Sequence, residues 1–180
     1  DLAGENEHGR TYGLDGKIGF GPTMVVSGFL AKTETPEVDK GDYAYNLRSQ
    51  SNRPKWDLTL GYQEVGEGFN PAVGFLSRRG YRKPDAFLMT RFRPENRFNI
   101  QELRPHTSYR GFWGIDGFQE TGFFHLDNHW HFVESTEIHT GMNLTHEGVR
   151  TPFEIFPAVI VPPGMYDHAE AQIVAMSNQG

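Results

Sequence analysis

The chain has 180 residues, a formal net charge of −6, only 37% hydrophobic residues and no cysteine, which excludes disulfides, thiolate catalysis and Cys-ligated zinc. Lys and Arg are scattered apart from Arg78-Arg79 and Arg82-Lys83, whereas a nucleic-acid groove needs a basic stripe, so no nucleic-acid partner is expected. No run approaches the ~18 apolar residues of a transmembrane helix, but a membrane β-barrel has none either, because its strands alternate apolar and polar side chains over ~10 residues.

The opening DLAGENEHGR carries no apolar signal core, which suits an internal piece, a processed exported chain or a cytosolic one. Tyr12, Leu14, Ile18 and Phe20 alternate with Gly13, Asp15, Lys17 and Gly19, the period of a β-strand. Gly21-Pro22 turns the chain into a second strand, Met24 to Lys32. A polar loop, Thr33 to Gly41 with Pro36, Glu37 and Asp39, leads to a third strand, Asp42 to Ser49. Ser51-Asn52-Arg53-Pro54 reads as a turn. In the fourth strand Trp56, Leu58, Leu60 and Tyr62 face one way and Asp57, Thr59, Gly61 and Gln63 the other.

A Gly- and Arg-rich connection, Gly66 to Lys83, precedes a fifth strand, Asp85 to Arg93, and a turn at Pro94-Glu95-Asn96. Phe98 to Gly114 reads as one long strand with a bulge near Pro105, closed by a hairpin at Asp116-Gly117. Gln119 to Val133 follows, then a Glu134-Ser135 turn and a strand from Thr136 to Glu147. A Pro-rich segment, Pro152 to Gly164, precedes a last extended stretch, Tyr166 to Met176. Within it Ala169 to Met176 fits a helix or a strand equally well. About nine long strands result. Consecutive strands usually pair, so the expected fold is all-β: one domain over 1–180, an antiparallel up-and-down meander. Strands of this length match the ~9–11 residues of a tilted membrane strand, which points to part or all of a transmembrane-type β-barrel.

The strand from Gln119 to Val133 carries the sharpest chemistry. Phe124, Leu126, Trp130 and Phe132 share one face, and His125, Asp127, His129 and His131 the other. Glu137 and His139 continue the ionisable row on the next strand. Two imidazoles two residues apart on a strand lie ~7 Å apart at Cα, close enough to share a metal. His129 and His131 could therefore hold zinc, iron or manganese in a soluble cupin-like enzyme acting on a sugar or small molecule. Pro162-Pro163-Gly164 followed by His168 resembles the second cupin motif, with the glutamate and closing histidine out of step. The plainer reading of the row is a solvated polar face.

Glu64, Glu67, Glu102, Glu120 and Asp127 offer carboxylates for glycoside hydrolysis, but no spacing selects two of them. No catalytic residue is assigned, and binding or transport is expected ahead of catalysis. Trp56, Trp113, Trp130, Tyr43, Tyr45 and Tyr62 suit a core, sugar stacking in a soluble carbohydrate-binding β-sandwich, or the interfacial girdles of a barrel.

Several segments carry a family resemblance: Arg10-Thr-Tyr-Gly, Gly28-Phe-Leu-Ala-Lys-Thr, Gly61 through Phe69-Asn-Pro-Ala-Val-Gly-Phe, Arg79-Gly-Tyr-Arg, Asp127-Asn-His-Trp-His-Phe, and Pro152 to Tyr166. In order and spacing they resemble the domain of unknown function that follows a family-9-type carbohydrate-binding module in exported proteins of Gram-negative bacteria. The resemblance implies an internal segment of a larger outer-membrane β-barrel, with no cofactor and no catalytic residues. The expected partners are outer-membrane lipid and either polysaccharide or other barrel or periplasmic subunits. On that reading His125, Asp127, His129, His131, Glu137 and His139 face the lumen. Trp56, Leu58, Leu60, Phe124, Leu126, Trp130, Phe132, Met142 and Leu144 face lipid or form girdles.

Overall fold

The computed structural model describes residues 9–36, 38, 40–71, 76–95 and 98–177. Glu37 and Asp39 of the second loop, positions 72–75 of the Phe69 motif and Asn96 of the fifth turn lie outside them.

Period-two alternation becomes strand wherever it was expected. The chain forms β1 (Arg10–Phe20), β2 (Met24–Glu34), β3 (Tyr43–Arg53), β4 (Trp56–Val65), β5 (Tyr81–Thr90) and β6 (Ile100–Gly114). It continues with β7 (Gln119–Phe132), β8 (Thr136–Val149), β9 (Phe153–Phe156), β10 (Val159–Val161) and β11 (Gly164–Ser177). Nine of these make one antiparallel up-and-down sheet in the order β1-β2-β3-β4-β5-β6-β7-β8-β11. The sheet is not closed. β9 and β10 pair only with each other, a small hairpin inside the segment read from sequence as merely Pro-rich.

The strands differ from the expected bounds at their ends. β3 runs on through Arg53, so the turn expected at Ser51-Asn52-Arg53-Pro54 shrinks to Pro54-Lys55. Ladder bonds to β4 as far as Arg53–Trp56 hold those polar residues extended against their local preference. β5 begins at Tyr81 and ends at Thr90, because Tyr81 and Arg82 pair with Val65 and Glu64. Phe98 and Asn99 have positive φ and belong to the turn before β6.

The irregularities in β6 fall between Ile100 and Glu102 and between Phe112 and Trp113, not at Pro105. Pro105 instead occupies a gap in the ladder to β5, between the Met89–His106 pair and the isolated Phe92–Leu103 bridge. Pro84 sits in the second gap of that seam, between the Arg82–Trp113 and Asp85–Arg110 pairs. A proline has no N–H to give a rung, and both fall where the β5–β6 ladder has none.

Directly paired residues share a face, so the register assigns every side chain. One row crosses all nine strands as Ile18, Val26, Ser49, Leu60, Ala86, Tyr109, Phe124, Leu144 and Ala169. The adjacent row on that face runs Phe20, Met24, Ser51, Leu58, Leu88, Thr107, Leu126, Met142 and Ala171. The opposite face carries rows such as Lys17, Ser27, Arg48, Gly61, Asp85, Arg110, Phe123, Thr145 and His168.

The apolar face is uncovered. Leu14 is 77% exposed, Leu30 58%, Leu60 48%, Leu126 44% and Ile173 80%. On it the charged side chains keep to strand ends: Arg10, Lys32, Glu34, Glu64, Arg82, Glu120 and Asp167 at one end and Arg53 at the other. The small buried cluster of Ala44, Val65, Phe69 and Tyr81 lies near the first of those ends, with Phe112 against it. There Gly41 and Gly66 let two loops meet, since a Cβ on Gly66 would fall 2.1 Å from the Gly41 carbonyl oxygen. That end carries the two longest connections, 66–80 and 150–163, with 35–42 and a tight turn at 115–118. The other has tight turns at 21–23, 54–55 and 133–135 and a nine-residue connection at 91–99.

Candidate functional site

The polar face is most densely functional over β6, β7 and β8. Alternation along β7 places His125, Asp127, His129 and His131 there, and pairing with β8 sets His139 opposite His129 and Glu137 opposite His131. Pairing with β6 adds Glu102, Arg104 and His106, opposite His131, His129 and Asp127. His106 escaped the sequence analysis. Its face follows from alternation, but its position beside Asp127 depends on a register that only the long β6–β7 ladder fixes.

Contacts divide the row into separate units. His131 Nδ1 lies 2.9 Å from Glu137 Oε1, and His139 Nε2 lies 3.2 Å from Glu137 Oε2. The rings of His129 and His139 stack at 3.7 Å, 2° from parallel. Glu102, 4% exposed, accepts a 2.6 Å bond from Arg93 Nε and a second from Arg104 Nε. His125 Nδ1 meets Asn143 Oδ1 at 2.5 Å, and Asn143 Nδ2 donates to Glu170 Oε1. Among the described residues, two groups bring ligand atoms within 4.8 Å of one another: His106, His125 and Asp127, and Asp127, His129 and His139. His129 thus meets His139 and Asp127, while His131, its sequence-expected partner, turns to Glu137.

Further along the same face Arg48 Nη1 reaches Asp85 Oδ2 at 3.3 Å, across the intervening strand. Gly61 lies between them, and a Cβ there would fall 2.3 Å from Asp85 Oδ1. The bridge exists because the middle strand offers no side chain at that point.

Trp56, Leu58, Leu60, Phe124, Leu126, Trp130 and Phe132 all lie on the apolar face. Trp130 satisfies its indole N–H on Thr140 Oγ1 at 3.0 Å, one strand away. At the long-loop end of this face stands an unexpected unit. Glu64, 7% exposed, accepts hydrogen bonds from Tyr43 at 2.6 Å, Tyr45 at 3.0 Å and Tyr62 at 2.7 Å, with Arg82 Nε 3.3 Å away. The three tyrosines were legible as aromatic. Their common acceptor was not, because β3 and β4 had first to pair Tyr45 with Glu64.

Outside the strands, Asp116 receives two hydrogen bonds from Arg150, at 2.7 and 2.8 Å, and one from the Phe118 N–H. These hold its carboxyl down at about 2.

Comparison with protein-family models, curated proteins and solved structures finds no match for this chain.

Proposed function

We propose that the chain is a β-barrel segment of the bacterial outer membrane, with a transport, binding or anchoring role in handling polysaccharide at the cell surface. The exposed apolar face carries this reading. Its rows cross nine strands without a charge between the strand ends, and soluble monomers rarely leave so large an apolar surface bare. Lipid chains are the medium in which such a face costs nothing.

Three further features support it. Strands of 10 to 15 residues are long enough to cross a bilayer at a tilt. Aromatic side chains flank the apolar band, with Tyr12, Tyr43, Tyr45 and Tyr62 at one end and Phe20, Trp56 and Trp130 at the other, as interfacial girdles do. The two longest connections, 66–80 and 150–163, share one end, while three of the four at the other end have two or three residues, an asymmetry like that of extracellular loops and periplasmic turns. The resemblance set out above adds the link to polysaccharide, and a lumen lined with Arg48, Asp85, Arg110 and the histidine row is polar enough to pass or hold a hydrated ligand.

The test is detergent dependence combined with quenching. In a variant keeping Trp130 alone (Trp56→Phe, Trp113→Phe), brominated lipid should quench the indole more strongly than aqueous iodide. A chain that stays monodisperse without detergent, with Trp130 shielded from the lipid quencher, overturns the reading.

A further inference from the structure

We propose that His106, His125 and Asp127 bind one divalent late-transition-metal ion of the zinc type on the polar face of the sheet. The site does not depend on what covers the apolar face.

The hydrogen bonds around the two imidazoles assign their tautomers. Asn143 Nδ2 donates to Glu170 Oε1, which turns Asn143 Oδ1 toward β7. His125 Nδ1 must then be the donor in its 2.5 Å bond to that oxygen. His106 Nδ1 is likewise the donor to the Arg104 carbonyl at 3.2 Å. In the neutral rings both Nε2 atoms therefore carry lone pairs, and these atoms face each other 3.2 Å apart. Two lone pairs at that distance repel unless a positive charge lies between or beside them. Zinc–imidazole bonds of ~2.0–2.1 Å at a tetrahedral angle put the two nitrogens about 3.3 Å apart. The imidazoles already stand at the edge length of such a site, with their other nitrogens anchored as metal-ligating histidines require.

Asp127 supplies the negative charge. It is 5% exposed, and its Oδ1 is buried without a hydrogen-bond partner. Its Oδ2 lies 3.9 Å from His125 Nε2 and 3.7 Å from His129 Nε2, too far for either to satisfy it. A carboxylate buried in this way needs a counter-charge, and among the described residues no arginine or lysine pairs with it: Arg104 is held by Glu102. Gly141 pairs opposite Asp127 and offers no side chain to displace the carboxyl group. All three ligands stand on the paired strands β6 and β7, so the site is held by the ladder rather than by loops. Nitrogen and carboxylate donors without thiolate suit zinc, nickel, cobalt and copper(II), and leave a fourth position for water or a ligand from the lumen. Asp127 also belongs to the second group, with His129 and His139.

The test uses the protein purified in detergent without a polyhistidine tag, stripped with a chelator and titrated with Co²⁺ and then Zn²⁺. The expected result is one Co²⁺ per chain, with the intense visible absorption of four-coordinate cobalt, displaced by Zn²⁺. His106→Ala, His125→Ala and Asp127→Asn should each weaken binding at least tenfold. His168→Ala, which removes an exposed imidazole on β11, should leave it unchanged. Asp127→Asn is nearly isosteric and decides the matter if an alanine variant loses its far-UV β-signal. Absence of stoichiometric binding, or binding indifferent to Asp127→Asn, overturns the proposal and leaves a proton shared between the two imidazoles as the stabilising charge.

Discussion

Glu64 and Asp127 are both almost buried carboxylates on long strands of one sheet, and their surroundings are opposites. Glu64 sits on the apolar face and is saturated: three tyrosine hydroxyls and Arg82 converge on its two oxygens. Asp127 sits on the polar face among four imidazoles, and none comes within hydrogen-bonding distance of it. A carboxylate that must be dissolved in an apolar surface has to bring its own solvation shell, and Glu64 brings one of phenols. A carboxylate on a wet face can be left without partners when something from solution completes it.

The contrast breaks most readily at Glu64. Glu64→Ala takes the acceptor from three partly buried hydroxyls and should lower stability by about 3 to 4 kcal/mol, read as a fall in the urea unfolding midpoint in detergent. Next in size, Leu126→Arg on the apolar face should cost about 3 kcal/mol in a bilayer, while Gln50→Arg on the polar face should change stability by less than about 0.5 kcal/mol. Equal costs for the two would mean that the faces do not meet different solvents. Asp127→Asn in chelator-treated protein should raise stability by ~1 kcal/mol, because it removes a buried carboxylate that no Lys or Arg among the described residues pairs with. A loss comparable with that of Glu64→Ala would show that Asp127 is satisfied after all.

The smallest effect lies outside the sheet. The Asp116 carboxyl is depressed to about 2 by its bonds from Arg150 and Phe118. Its folded value is below its unfolded one of ~4, so its stabilisation is complete above pH ~4 and disappears as pH falls through about 2. The difference in unfolding midpoint between the wild type and Asp116→Asn should shrink over that window. A difference independent of pH would assign the effect to packing instead.

The sheet was legible in the sequence because a strand's side chains alternate whatever its neighbours do. Trp56-Leu58-Leu60 and Phe124-Leu126 disclosed their faces before any pairing was known. Register was not legible, since it depends on ladders between distant residues, about 20 positions apart for His106 and Asp127, His125 and Asn143, and Tyr45 and Glu64. That is why His106 and Asn143 were missed beside His125, and why Tyr43, Tyr45 and Tyr62 showed as rings but not as donors to Glu64. Local turn chemistry misled at Ser51-Asn52-Arg53, where the ladder to β4 overrides turn-prone residues. It misled again at Pro105, whose missing N–H falls in a gap of the β5–β6 seam and so needs no bulge.

The two free edges of the sheet have a consequence in parity. Eight reversals separate nine strands, so β1 and β11 run in the same direction. Joining them directly would create a parallel seam in an otherwise antiparallel wall. Keeping every seam antiparallel takes an odd number of inserted strands, whatever their source, and brings the total to the even count of single-chain bacterial outer-membrane barrels.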